Sequence, residues 1–468
     1  MSDTHHNSLP QPVGRQKEVL YLPPTGHTVV LGTAGSGKTL LAIFRSLYLA
    51  NPKTDHCGRT LLVTFNRCLV AYMKHLSREY QARPVIENYH QFARGYLTSR
   101  CRLGANDIVT SEDERLAYVE RAMCQMIAAG KRSTILERPP EFLDDEFEWM
   151  RAHGIQKKED YITMIRVGRA QSRIRRADRS LVFDLFRSYQ NIREGAGKLY
   201  DWSDLATAVL TEFNKDDMVR RYRHIVIDEG QDFSPEMIRS LAAAIPDHGS
   251  LTFFGDVAQQ IYGRRISWRQ AGLNLSQVWL FSENYRNSPQ ISRLALALAE
   301  MPDFTDDRDL VEPNAPTADG PLPICLSMAS EAKEIEFVAK KAVARSRTES
   351  VAILFKTRAL ESKIITHLPR NGIRLHRKLQ EWHSGPGLYH GTYHAAKGLE
   401  FDTVFLPLLS CTHWDQGSQY EYLRESEVRS RYSRLLYVGI TRAKSNLILT
   451  YSGKITPLLP SNNQLFQS

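Results

Sequence analysis

The sequence predicts an α/β protein of two parallel-sheet lobes, the first carrying a helical insertion. Three observations predict it. Apolar strand patterns alternate with helical ones over residues 1–95. A highly charged stretch of helical period, from about 97 to 200, interrupts that alternation. Strand patterns then return at 224–228 and 251–255, and a second α/β stretch begins after about 278. Strand–helix alternation builds parallel sheets, because each crossover helix carries the chain back to start the next strand in the same direction.

The elements follow in order. Thr28 to Leu31 is a short apolar run bounded by Gly26 and Gly32, hence a strand, and Leu40 to Ala50 reads as a helix. Thr60 to Phe65 is a second strand, followed by a helix through about Tyr80. Within the charged stretch, residues 157–179 hold eight Lys or Arg against three acids. Arg166, Arg169, Arg173 and Arg176 recur at i, i+3, i+7 and i+10, so a helix there would present them on one face. A solvated face and a phosphate-tracking stripe both fit that spacing. HIVID (224–228) and LTFFG (251–255) complete the strands of the first lobe. In the second lobe, Val351 to Phe355 and Thr403 to Leu406 are strands, and 331–345 and 359–369 are helices. The Pro- and Asp-rich segment 302–323 reads as a loop.

Composition bounds the function. The 468 residues are 42% apolar and 24% charged, which excludes a disordered, collagenous or disulfide-scaffold chain. Lys plus Arg is 61 against 52 acids, a net charge of +9 that suits a phosphate-rich partner. Cys57, Cys68, Cys101, Cys124, Cys325 and Cys411 show no CxxC spacing, so they are expected to be reduced and mostly buried. No apolar run reaches the length of a membrane span, and MSDTHHNSLPQP at the start has no apolar core. A cytoplasmic protein that does not engage a membrane is expected.

The chemistry concentrates in GTAGSGKT, Gly32 to Thr39, set between a strand and a helix. Gly32, Gly35 and Gly37 let the backbone curl so that its N–H groups, with those of Thr33, Ala34 and Ser36, face phosphate oxygens. Lys38 reaches the β and γ phosphates of ATP, Thr39 offers a hydroxyl to Mg²⁺, and the helix N-terminus adds a positive partial charge. Downstream, Asp228 ends an apolar strand, where an aspartate can hold Mg²⁺. Glu229 beside it is placed to orient and deprotonate a water, which points to hydrolysis.

At these residues the chain resembles a family. DEGQD (228–232) is similar to the DExQD box of superfamily 1A helicases, the UvrD/Rep/PcrA group. LLVTFNRCL (61–69), ENYHQF (87–92), YDWSDL (200–205), FFGDVAQQIYG (253–263), ENYRNSPQI (283–291), GTYHAAKGLEF (391–401) and LLYVGITRAK (435–444) resemble that family's remaining motifs in its order. The resemblance covers about 10 to 452 and implies two RecA-like P-loop NTPase lobes with a helical 1B insertion. Lobe 1A would span 1–96 and 199–277, 1B would span 97–198, and lobe 2A would span 278–468. The family's large 2B insert would be reduced to a short loop near 377–390.

The resemblance also implies roles. Gln16 would read adenine, Tyr285 would stack on it, and Glu400 would hydrogen-bond the ribose. Gln259 would contact the γ-phosphate and couple it to DNA. Arg286 and Arg442 would be arginine fingers from the second lobe. Phe65, Asn66, His90, Tyr262 and His394 would line the path of single-stranded DNA. Two positions depart from the pattern. Arg264 stands where the family has Trp, so either its guanidinium plane or Trp268 would replace that platform. Leu40 stands where the family often has Arg, which weakens one adenine contact.

The implied activity is an ATP-dependent 3′–5′ single-stranded DNA translocase and helicase, acting on a single strand or a single-strand/duplex junction. The alternative is an ATP-switched sensor of DNA ends or single strands that regulates a protein partner such as a nuclease. Small UvrD-like subunits of antiphage systems such as Gabija offer the analogy for that second role.

Overall fold

The computed structural model describes residues 12, 14, 16–33, 35–166, 174–215, 220–256, 268, 271–281, 287–304, 320–376, 379–383, 385–414 and 425–467. They form two six-stranded sheets in which every pairing of named strands is parallel. The first holds β1 (Gly26–Gly32), β2 (Thr60–Thr64), β3 (Val85–Asn88), β4 (His224–Ile227), β5 (Ser250–Gly255) and β6 (Leu275–Phe281), in the order β3-β2-β4-β5-β1-β6. The second holds β7 (Ile324–Met328), β8 (Ser350–Phe355), β9 (Ile373–Arg374), β10 (Gly387–Thr392), β11 (Phe401–Leu406) and β12 (Ala443–Ser452), in the order β7-β12-β11-β8-β10-β9.

Both sheets are covered on both faces, as parallel sheets require. Alternate residues serve alternate cores. Val30, Leu62 and Val226 join one apolar cluster, while Val29, Leu61, Val63, Ile225 and Ile227 join another. In the second sheet Ala352 and Leu354 face one way, and Val351, Ile353 and Phe355 the other. The cluster containing Val30 also contains Ala352 and Leu354, so a single apolar core runs through both lobes.

Helices α1 (Gln16–Leu20), α2 (Lys38–Leu49), α3 (Arg67–Leu76) and α4 (Tyr89–Ser99) accompany the first strands. Helix α3 ends at Leu76, short of the expected Tyr80, because Ser77 closes it with its backbone N–H on His75 and Met73. Between α4 and β4 lie α5 (Glu112–Ala128), α6 (Pro140–Ala152), α7 (Lys158–Thr163), α8 (Arg179–Gly195) and α9 (Asp204–Lys215). The first four build an apolar core of their own around Phe142, Phe147, Met150, Tyr161, Phe186 and Tyr189.

One expectation fails here. The arginine spacing over 157–179 does not mark a continuous helix. Helix α7 stops at Thr163, and Arg166 lies beyond it. Arg166 turns inward onto fully buried Glu146, donating through Nε at 2.8 Å and closing an ion pair through its second nitrogen. A buried carboxylate without a cation is costly, so Glu146 draws in the arginine and outweighs the periodicity. Arg169 and Arg173 lie outside the described residues. The cysteine expectation fails in part: all six are free thiols, but Cys68 alone is buried, and Cys101 and Cys124 are exposed. Among the described residues, no helix is long and apolar enough to cross a membrane.

Helix α10 (Pro235–Ala242) completes the first lobe between β4 and β5, and the second lobe adds α11 (Pro289–Ala299), α12 (Glu331–Arg345), α13 (Arg358–Ile365), α14 (Cys411–Trp414) and α15 (Glu425–Ile440). Helix α13 ends four residues before the expected 369, at Ile365, where Thr366 takes over the last turn.

Candidate nucleotide site and the cleft between the lobes

The loop after β1 begins at Gly32 and turns into α2 through Gly35 and Gly37, whose φ angles are +83° and +81°. Those left-handed values suit glycine. Lys38 opens α2 and folds its ammonium back into the loop. It donates to the carbonyls of Gly32 and Thr33 at 2.8 and 2.5 Å and to Ser36 Oγ at 3.4 Å, and it lies 3.6 Å from Asp256 Oδ2. Gln16, at the start of α1, donates from Nε2 to the Ser36 carbonyl at 3.1 Å, so it rests on the same loop. Leu40 is half-buried on α2 and packs against the shared core. Ala34 lies outside the described residues.

Asp228 stands at the end of β4, and the end of β5 beside it carries Asp256. Asp228 is buried, bonds Thr39 through its side chain, and leaves Oδ2 without a hydrogen-bond partner. Burial, then the neighbouring Glu229, push its pKa up to about 7, against the pull of Thr39 and Lys38. A buried carboxylate oxygen with no partner, next to a threonine hydroxyl, fits a hard divalent cation. The residues present therefore suit Mg²⁺, with Thr39 and Asp228 as the groups that would hold it.

Glu229 takes a left-handed backbone, φ +53°, and its Oε1 lies beside Gly398 of the second lobe. Burial opposes its ionisation, but Lys397, Arg442 and Lys38 outweigh burial and hold its carboxyl below the usual range. Gln231 donates from Nε2 to Glu229 Oε2 at 2.5 Å and accepts at Oε1 from the Asp256 N–H at 2.9 Å. It thereby locks the acid pair to the end of β5. Two neighbouring acids are thus driven to opposite protonation tendencies, the pattern expected where one holds a metal and the other acts as a base.

The second lobe closes this site. Lys397 donates to Asp232 Oδ1 at 2.5 Å, and both are buried. Gly398, at φ +79°, lets the chain approach so closely that a Cβ there would fall 2.5 Å from Leu69 Cδ2 and 3.4 Å from Glu229 Oε1. Arg442 is fully buried at the end of α15, bonding the carbonyls of Val438 and Leu399 at 2.9 and 3.2 Å and Thr441 Oγ1 at 3.0 Å. Asn287 ties its segment to the same turn through Nδ2, at 3.2 Å from the Thr441 carbonyl and 2.6 Å from that of Ala443. Glu400 is half-buried just before β11. Gln259, Tyr285 and Arg286 lie outside the described residues.

The expected nucleic-acid residues sit at the carboxyl ends of β2 and β3, where ligands bind on open parallel sheets. Phe65 meets His90 edge-on at 5.4 Å, and His90 meets Trp202 edge-on at 5.2 Å. Phe65 also lies 6.2 Å from Phe233, so the row is anchored in the first lobe's core. Arg94 lies over Trp202 at 6.0 Å. His394 is exposed on the turn after β10. Asn66 caps α3 by accepting from the Cys68 N–H and spends its amide on the second lobe, donating to the Ala395 and Lys397 carbonyls at 3.1 and 2.7 Å. The structure thus places Asn66 in the joint between lobes. Trp268 packs edge-on against Phe253 at 4.9 Å and is half-buried. Tyr262 and Arg264 lie outside the described residues.

Sequence reasoning passed over Gln231, Asp232, Lys397 and Trp202. Each stands inside a motif already quoted, so a signal was there. What it lacked was the spatial pairing, such as Lys397 with Asp232 across 165 residues of chain.

Comparison with known proteins agrees with this arrangement. The family model described as the UvrD/REP helicase N-terminal domain matches residues 14–278, and that described as the UvrD-like helicase C-terminal domain matches 391–454. The chain is similar to "ATP-dependent DNA helicase UvrD2" of Mycobacterium tuberculosis, 26% identical over 302 residues, 60% of this chain and 42% of that protein. It is similar to a "Probable DNA helicase" of Mycoplasma pneumoniae, 24% identical over 458 residues, 91% of this chain and 80% of that one. It is also similar to "ATP-dependent DNA helicase srs2" of Schizosaccharomyces pombe, 22% identical over 307 residues, 61% of this chain and 34% of that one. The match to UvrD2 spans less than half of that protein's length.

Proposed function

This chain belongs to the UvrD/REP helicase family, and we propose that it is an ATP-driven motor that moves 3′ to 5′ along single-stranded DNA. Its two RecA-like lobes are 1A, in two pieces at 1–96 and 199–277, and 2A, at 278–468, with 1B between the pieces of 1A. The observation that carries the reading is the approach of the second lobe's turn to the first lobe's acids, with Lys397 on Asp232 at 2.5 Å and Gly398 against Glu229.

Hydrolysis needs a positioned phosphate, a cation and a base, and the cleft offers residues for each. Lys38 exchanges the carbonyls of Gly32 and Thr33 for phosphate oxygens. Thr39 and Asp228 would hold Mg²⁺, which would neutralise charge on the phosphates. Glu229, kept ionised by cations of the second lobe, accepts the proton of the attacking water. Arg442 approaches only when the lobes are together, so hydrolysis is tied to closure, and closure to the step along DNA. Phe65, His90 and Trp202 form the stacking row on the first lobe, and exposed His394 adds a platform from the second.

The test is single-strand-stimulated ATPase activity, with Lys38→Ala expected to abolish it. Polarity is read by displacement of streptavidin from biotinylated oligonucleotides. Faster release from the 5′ end supports 3′–5′ movement, and faster release from the 3′ end refutes it.

A second reading is favoured by the connection between β9 and β10, at 375–386, which is too short to hold a domain that would engage duplex DNA. In that reading the chain is an ATP-switched sensor of DNA ends that regulates a partner nuclease, as in antiphage defence. Efficient unwinding of a forked duplex by the purified chain alone argues against it.

A further inference from the structure

The connection between β9 and β10 does more than join strands. It reaches from its own lobe to α3 of the first. Trp382 is only 8% exposed. Its ring stacks on Tyr389, with centroids 4.8 Å apart and 14° between planes, and lies 6.1 Å from Phe401 of the same lobe. Its other side meets Tyr72 of α3 edge-on, at 5.3 Å and 74°. Tyr389 donates its hydroxyl to the His383 carbonyl at 2.8 Å, which fixes the turn that delivers the tryptophan. The Cys68 thiol donates to the His376 carbonyl at 3.4 Å, a second tie between the same two segments.

Asn66, Leu69 and Tyr72 recur every three residues and share one side of α3. Asn66 holds the 395–397 carbonyls, Leu69 receives Gly398, and Tyr72 receives Trp382. The turn carrying Lys397 and the β9–β10 connection therefore sit on one helix face. Asn66 and Leu69 hold that turn near the start of α3, beside the Lys397–Asp232 pair. Trp382 on Tyr72 adds a contact farther along the helix, which resists pivoting about the first.

We propose that Trp382 is a positioning residue for ATP hydrolysis: by clamping the second lobe onto α3 it holds Lys397 and its turn against Asp232 and Glu229. The proposal rests on the reading of the cleft as an ATPase site. Without the clamp the docked arrangement is less populated, and apparent affinity for ATP falls by that population. Saturating ATP restores docking, so the maximal rate is kept. A tryptophan that merely supports folding would instead lower the active fraction, reducing kcat at unchanged KM.

The experiment is steady-state ATPase kinetics at saturating oligo-dT. Trp382→Ala is expected to raise KM for ATP roughly two- to tenfold, the range an aromatic pair confers, with kcat within about twofold. Tyr72→Ala, on the other lobe, should give the same split, the double variant no more than either single one, and Trp382→Phe most of the wild-type KM. A lower kcat at unchanged KM, or effects of Trp382→Ala and Tyr72→Ala that multiply, would overturn the proposal. Hydrogen exchange separates it from the ATPase reading. Trp382→Ala should speed exchange at least about threefold in α3 and at 393–398 but not in β8 or β11. Unchanged exchange there refutes the clamp. If Trp382→Ala shows this effect while the wild-type chain hydrolyses no ATP, the ATPase reading is refuted and the clamp stands.

Discussion

Single residues in this molecule are chosen by what lies directly against them. Gly230, in the middle of DEGQD, has Phe253 so close that a Cβ would fall 2.3 Å from its ring. Gly230→Ala is expected to force Phe253 and the end of β5 apart, costing about 1–3 kcal/mol, read as a lower Tm and reduced ATPase activity. His224 is a second case. It is buried at the start of β4, with Nδ1 2.8 Å from Ser250 Oγ and Nε2 2.8 Å from the His56 carbonyl. The carbonyl requires the proton on Nε2, which leaves Nδ1 to accept from the serine. Burial first, then nearby Arg223 and Arg45, lower its pKa to about 4. An unfolded chain protonates this histidine below about 6.5 while the folded one does not, so folding weakens as pH falls from about 6.5 towards 4. The loss is on the order of 2 kcal/mol after allowance for solvent screening. His224→Gln should flatten the fall in Tm between pH 6.5 and 4.5. A slope equal to that of the wild type would refute the assignment.

At the scale of elements, the sequence was most legible where chemistry is local. Gly32 to Thr39 and Asp228 read correctly as a loop–helix junction and a strand end, because turn glycines and apolar runs act over a few residues. Arg166 was misread, because its partner Glu146 lies on α6 and spacing carries no information about it. Trp382 and Lys397 went unremarked for the same reason: their partners, Tyr72 and Asp232, are remote in sequence. Asn66 shows how one helix end can carry two tasks. Its Oδ1 caps α3, while its Nδ2 binds the second lobe. Asn66→Asp preserves the cap and removes the inter-lobe donors, whereas Asn66→Ala removes both. Both variants should raise KM for ATP, the aspartate by setting a carboxylate against the Ala395 and Lys397 carbonyls, and the alanine variant should also lose about 1 kcal/mol of stability with the cap. Equal Tm values for the two variants would show that the cap is not what Asn66 contributes.

For the molecule as a whole, the net charge of +9 overstates the surface offered to nucleic acid. Arg45, Arg151, Arg193 and Arg442 are buried, and their charges serve carbonyls and carboxylates inside the protein. The larger fact is the apolar core that runs through both lobes. Two lobes that share a core should melt together, so calorimetry is expected to show them in one transition, with any separate event belonging to the helices between α4 and α9. Resolved melting of β1–β6 and β7–β12 would contradict that. The same core also decides whether the chain can be divided. Expressed apart, each half would turn its share of Leu69, Tyr72, Trp382 and Phe401 towards water and aggregate. Produced together as two polypeptides cut between β6 and α11, the halves should find each other and stay bound without a peptide bond to join them.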